Sequence, residues 1–177
     1  PERSVIYSTL KRKGSVIEVG NRSSTILVSK KILSQVNNTT RPKIGILAAG
    51  TSDIGVAEES RLIAKAMGCS SLTSYDVGIA GIHRLFPILK EMISRDVSAI
   101  IVVAGMEGAL PSVVSSLVDI PVIAVPASSG YGFGSNGVAA LGTMLQSCSL
   151  GLAVVNIDNG IGAGAFAATI SLRRVEK

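Results

Sequence analysis

From residue 43 onward, short unbroken apolar runs alternate with longer stretches whose apolar positions recur every three or four residues. The runs are "KIGILAAG", "SLTSYDVG", "SAIIVVAG", "IPVIAVPA" and "LAVVNID". Each is short and ends in Gly, Pro or Asp, which predicts five strands. The stretches between them predict helices: "SDIGVAEESRLIAKAMG", "HRLFPILKEMISRD", "LPSVVSSLVD", "GVAALGTMLQSCSLG" and "AGAFAATISLRRVEK". In the first, Ser52 or Asp53 is the expected N-cap and Gly68 the stop, with Val56, Leu62, Ile63, Ala66 and Met67 on one face. Pro87 suits the first turn of the second helix.

Strands that are apolar at successive positions are buried on both faces, as in a parallel sheet covered by helices on either side. Right-handed crossovers then give an α/β protein, a three-layer αβα sandwich with a doubly wound parallel sheet. For five strands the common order is 2-1-3-4-5. Ligands bind beyond the carboxyl ends at the switch point, beside the loops after the first and third strands.

Residues 1–42 follow a different pattern. "SVIEV" and "STILVSK" flank "GNRS" and predict a hairpin, and "NNTTRP" reads as a linker. The expected division is a short N-terminal segment over 1–42 and a catalytic domain over 43–177. The net charge of +5 sits in that segment: residues 1–43 carry nine Lys or Arg and two Glu, and residues 44–177 carry eight against ten acids. A basic groove across the fold is therefore not expected, and the segment has no interleaved aromatics to stack bases, so no nucleic-acid partner is expected.

Hydrophobic residues make up 47% and charged residues 16% of the 177, with no Trp. So little charge with so many small apolar residues predicts a homo-oligomer. No charge occurs from Ile120 to Ile157, but Pro121, Pro126, Asn136 and Gln146 interrupt that run, so strand, loop and helix are expected there and no membrane span. The opening residues lack an apolar core of signal-peptide length, and two cysteines make neither a disulfide framework nor a zinc site. A cytoplasmic location is expected.

Candidate chemistry gathers in the loops after the strands. "AAGTSD" offers Gly50 for a tight exit, the hydroxyls of Thr51 and Ser52, and free N–H groups beside Asp53, a cradle for phosphate or carboxylate. Ser52 or Asp53 acting only as an N-cap fits equally. In "AGMEGALPS" Glu107 stands between glycines, either as a solvated first-turn acid or as a base at the cleft. "YDVGIAGIHR" carries Asp76, the chain's single histidine His83, and Arg84, which suits a phosphate. "PASSGYGFGSNG" and "NIDNGIGAGA" would bring backbone close to a ligand or fold over a neighbouring subunit.

Cys148, in "LQSCSLG", falls near the C-terminal end of the fourth expected helix, away from its own chain's carboxyl edge. It is either an inert packing residue or a nucleophile in a site formed with another subunit. Cys69 follows a helix stop and reads as structural.

"GTSD", "DVGIAGIHR", "AGMEGALPSVV" and "VVNIDNGIGAG" closely resemble the LarB family, carboxylase/hydrolases of nickel-pincer nucleotide biosynthesis. The resemblance spans about residues 43–172, and "AGMEGALPS" and "AVVNIDNG" are particular to that branch. The LarB catalytic domain is similar to PurE-type aminoimidazole ribonucleotide carboxylases and mutases, which implies a flavodoxin-like, PurE-like sheet. Where this chain has Gly55, the family often has Pro.

The resemblance implies that nicotinic acid adenine dinucleotide is carboxylated on its pyridinium ring by carbon dioxide or bicarbonate. Its phosphoanhydride is hydrolysed, giving a pyridinium biscarboxylic acid mononucleotide and AMP. It implies that Cys148 adds to the ring, that Glu107 activates the hydrolytic water, and that His83 contacts phosphate or carbon dioxide. Gly50, Thr51, Ser52 and Asp53 are implied to bind phosphate and ribose. Arg84, Asp76, Gly105, Met106, Gly108 and Asp158 complete the expected substrate-binding set, with Asn159 nearby. Mg2+ dependence without an organic cofactor and a homo-octamer are implied as well. The alternatives are a PurE-like carboxylase or mutase acting on an aminoimidazole ribonucleotide, and a non-catalytic nucleotide-binding regulator.

Overall fold

The structure, a computed structural model, describes residues 16–30 and 41–175. Most of the expected linker and the last two residues of the expected C-terminal helix lie outside them. Five parallel strands form the central sheet: β3 (Lys43–Ala48), β4 (Ser70–Ser74), β5 (Ile100–Ala104), β6 (Val122–Pro126) and β7 (Leu152–Val154). Before them, β1 (Val16–Val19) and β2 (Ile26–Ser29) pair antiparallel as the expected hairpin, Val19 opposite Ile26. The sheet order is β4-β3-β5-β6-β7, the 2-1-3-4-5 arrangement, with Ile46 opposite Thr73 on one side and Ile101 on the other.

Alternation along each strand sends consecutive side chains to opposite faces. Ile44, Ile46, Ile101, Val103, Ile123 and Val125 face one layer, α1 (Ile54–Ala66) and α5 (Gly160–Val175). Leu47, Ile100, Val102, Val122 and Ala124 face the other, formed by α2 (Leu85–Ser94), α3 (Leu110–Leu117) and α4 (Val138–Leu145). β5 and β6 are buried at every position because both faces are covered. Pro87 sits in the first turn of α2, as expected.

Three details depart from the sequence reading. On α1 the buried positions are Ile54, Ala57, Glu58, Ser60, Leu62 and Ala64, while Ala66 is exposed. The helix touches the sheet, α5 and the hairpin, so no single stripe describes it. The run "GIGAGA" is not a ligand loop: Gly160 opens α5 three residues earlier than expected. There the Ser60 hydroxyl donates to the Gly160 carbonyl at 2.8 Å, and a Cβ on Gly164 would stand 2.5 Å from the Ser60 carbonyl oxygen.

The third departure concerns Cys148. The helix expected to carry it stops at Leu145. Ser147 and Ser149 then spend their side chains on non-helical partners. The Ser112 hydroxyl donates to the Ser147 hydroxyl at 2.9 Å, and the Ser149 hydroxyl donates to the Ser112 carbonyl at 3.0 Å. Serine hydroxyls compete with the helix ladder in this way. Cys148 therefore lies in an exposed turn, not in a helix–helix contact.

The hairpin is seated on α1 by buried charge. Both Glu58 oxygens accept from Arg61, and the Asn21 amide donates to Oε2 at 3.0 Å. The Tyr75 hydroxyl reaches the same carboxylate. Arg61 also pairs with Glu18 of β1 at 2.8 Å, and Lys65 joins that pair. Burial raises the Glu58 carboxyl, but these hydrogen bonds outweigh it and the net displacement is downward. Tyr75 is pushed up to about 12 by burial and by its carboxylate partner.

Candidate functional site

The loops after β3, β4, β5 and β6 close around a cavity of about 200 Å3 at the carboxyl edge. It lies at the switch point, because β3 has β4 on one side and β5 on the other. Ala49, Gly50, Ser52 and Asp53 come from the first loop, Gly78, Ile79 and Ala80 from the second, and Gly105, Met106 and Glu107 from the third. Leu110, in the first turn of α3, and Ser129, after β6, complete much of the wall.

Asp53 organises this edge. It is 3% exposed. Its Oδ2 accepts the Gly50 amide at 2.8 Å, and its Oδ1 accepts the Ser129 hydroxyl and, at 3.5 Å, that of Ser52. One carboxylate thus joins the loops after β3 and β6. Glycine at 105 is what lets them meet, since a Cβ there would stand 2.6 Å from the Ser129 Oγ. Ser129 was not distinguishable in sequence from its neighbours in a Gly- and Ser-rich loop.

The second loop is drawn in by backbone: the Gly78 amide donates to the Ala49 carbonyl at 2.9 Å. Its polar residues point elsewhere. Arg84 donates to Asp76 at 2.6 Å, and both are well exposed, as is His83. Of these loop residues only Gly78, Ile79 and Ala80 reach the cavity. Asp76, Met106 and Asp158 all have left-handed backbone, with φ of 59°, 51° and 57°. Such conformations are uncommon outside glycine and recur where function constrains the chain.

Other sequence candidates fall outside the walls. Gly108 packs against α4, where a Cβ would stand 2.7 Å from the Ala140 Cα. Asp158 accepts the Ser128 amide at 2.8 Å and braces the loop after β6. Thr51 is exposed, and its carbonyl accepts from the Arg22 guanidinium at 3.0 Å.

Cys148 belongs to a second depression, a groove of about 540 Å3. Ser112, Gly142, Thr143 and Gln146 line it with Ser147 and Ser149. It shares no wall residue with the cavity, yet the two flank one turn: Leu110 borders the first and Ser112 the second. Cys69 is buried, its thiol pushed up by desolvation, in keeping with a structural role.

No three metal-binding side chains converge among the described residues. Asp53 is engaged by two loops and Asp76 by Arg84, so the donor set does not fit a magnesium ion held by protein alone. No described helix is long and apolar enough to cross a membrane.

The profile of the AIR carboxylase family matches residues 43–176, from β3 through α5. The chain belongs to the AIR carboxylase family. Among relatives within reach of this family, the uncharacterized protein MJ0165 of Methanocaldococcus jannaschii is 56% identical over 157 residues. That match covers 88% of this chain and 58% of MJ0165, so the chain spans little more than half of that relative. The N5-carboxyaminoimidazole ribonucleotide mutase of the same organism is 32% identical over 129 residues, covering 72% of this chain and 77% of the mutase. Among solved structures, Treponema denticola PurE superposes with a TM-score of 0.57 or close to it: 0.56 at 22% identity, over 76% of this chain and 91% of that one. That likeness confirms the AIR carboxylase sheet order and speaks to fold alone.

Proposed function

We propose that this chain is a LarB-like pyridinium carboxylase and dinucleotide hydrolase within the AIR carboxylase family. It acts on nicotinic acid adenine dinucleotide and releases AMP. The observation that carries the reading is Cys148, a free and exposed thiol in a serine-lined groove.

A pyridinium ring is electron-poor and does not attack carbon dioxide. Addition of the Cys148 thiolate to the ring forms a C–S bond and moves an electron pair into the ring, giving a dihydropyridine whose free meta carbon is nucleophilic. That carbon bonds to carbon dioxide. A base then removes the ring proton, the C–S bond breaks, and the thiolate leaves as aromaticity returns. A thiolate is both a good nucleophile and a good leaving group, which this cycle requires. Glu107, exposed on the cavity wall, is the base assigned to the water that splits the phosphoanhydride. Asp53 holds the Gly50–Asp53 loop in shape.

The reading carries a structural requirement. Cys148 and Glu107 lie in separate depressions of one chain, so the groove of one copy must complete the cavity of another. The surface around Cys148 suits that arrangement: Leu145 and Leu150 beside it are 67% and 90% exposed, and Tyr131, Phe133 and Val138 are equally uncovered. A homo-octamer is the assembly proposed.

A second reading, a PurE-like mutase acting on a carboxylated aminoimidazole ribonucleotide, is favoured by the 32% identity to the mutase. An aminoimidazole is already an enamine and needs no thiol, so the cysteine separates the two. The protein is incubated with nicotinic acid adenine dinucleotide, bicarbonate and magnesium, and products are analysed by mass. AMP and a carboxylated mononucleotide are expected, and Cys148→Ser is expected to form no carboxylated product. Full carboxylation by Cys148→Ser, or turnover of the aminoimidazole ribonucleotide alone, would overturn the proposal.

A further inference from the structure

The cavity is built for less than a dinucleotide. At about 200 Å3 it falls below the roughly 300–1,000 Å3 of ordinary ligand pockets. No Lys, Arg or His lines it, and its two charged wall residues, Asp53 and Glu107, are acidic. A substrate with two phosphates must therefore extend beyond the walls and find its cations at the rim.

The hairpin supplies one. Arg22 donates a single guanidinium hydrogen bond, to the Thr51 carbonyl at 3.0 Å, and Thr51 lies between Gly50 and Ser52, both of which are wall residues. The neighbouring cations are committed. Arg61 and Lys65 are taken up by Glu58 and Glu18, and Arg84 by Asp76. The exposed Arg22 retains most of its five donors for a ligand.

Its placement is built. The preceding Asn21 amide is tied to the buried Glu58, and the following Ser23 is buried. The Arg22 backbone has a φ of 55°. Gly55, in the first turn of α1, admits this turn: a Cβ there would stand 2.7 Å from the Arg22 carbonyl oxygen. The hairpin lies outside the family match, which begins at residue 43. A match covering 88% of the chain cannot be fitted after residue 42, so the similarity to MJ0165 runs into the hairpin.

We propose that Arg22 is a specificity-determining residue of the cavity, binding the second phosphate of a diphosphate-bearing substrate across the Gly50–Asp53 loop. The proposal rests on the dinucleotide reading for the identity of the substrate, while the phosphate subsite itself is testable alone. A guanidinium accepts two phosphate oxygens side by side, and such charge-assisted bonds are the strong ones.

The test measures equilibrium binding of inorganic phosphate, pyrophosphate, nicotinic acid mononucleotide and nicotinic acid adenine dinucleotide to the full chain and to Arg22→Gln and Arg22→Lys. Arg22→Gln is expected to weaken the dinucleotide and pyrophosphate by roughly ten- to a hundredfold. The mononucleotide and phosphate should stay as they were, and Arg22→Lys should recover part of the loss. Equal loss for mono- and diphosphate ligands would make Arg22 a brace for the Thr51 loop and overturn the proposal, as would no loss at all. If the pyrophosphate preference depends on Arg22 but the dinucleotide yields no AMP, the subsite stands and the substrate reading falls.

Discussion

Asp53 has both carboxylate oxygens occupied, one by its own loop and one by Ser129 from the loop after β6. Asp53→Ala leaves the Gly50 amide without its acceptor and opens the link between the loops. The expected cost is about 1–3 kcal/mol, read by denaturant unfolding, together with a fall in kcat/KM. Asp53→Asn keeps an acceptor for Gly50, and its amide can donate to Ser129, so stability should recover most of the way. If Asn restores activity too, the side chain acts as a brace; if only stability returns, its charge matters to the reaction. The same distinction explains why sequence placed Asp53 in the site without revealing its job. The "GTSD" spacing shows a loop at a helix start, whereas Ser129 is 76 residues away and one of several serines.

At the scale of elements, the hairpin and α1 are joined by carboxylates whose titration sets a pH limit. Burial raises the Glu18 carboxyl, but its bonds to Lys65 and Arg61 bring it below its usual 4.5, as happens with Glu58. In the unfolded chain both protonate near 4.5; in the docked hairpin they do so at lower pH. Between those values the unfolded state binds more protons, so stability rises with pH there. The contribution is complete above 4.5 and lost as pH falls through the lowered values. Hydrogen exchange across residues 16–29 should accelerate in that acid window before the central sheet opens. The elements themselves were legible because strands apolar on both faces and helices with three- to four-residue recurrence are local patterns. The end of α4 was not, since Ser147 and Ser149 look helix-compatible until their bonds to Ser112 are seen. Nor was the buried face of α1, which depends on Glu18 and Tyr75, far along the chain.

For the whole molecule, the uncovered apolar surface at Leu145, Leu150 and the Tyr131–Val138 loop is the feature that a single chain leaves unexplained. Low charge and abundant small residues pointed to assembly from sequence, but which face assembles depends on where α4 ends. Leu150→Glu should leave the fold intact, since that side chain is 90% exposed, while light scattering shows a smaller particle. Carboxylation should fall roughly a hundredfold with it, as expected when reacting groups lose their alignment. A variant that stays assembled and active would remove the shared-site requirement.

The ties between Glu58 and the hairpin also bear on how this family can be recombined. A chimaera spliced at residue 43, where the family match starts, would inherit α1 from one parent and whatever precedes it from another. Its Glu58 would lose the Asn21 amide, and Arg61 and Lys65 would lose Glu18. The workable seam lies upstream of Val16, so that the hairpin and the helix travel as one inherited unit.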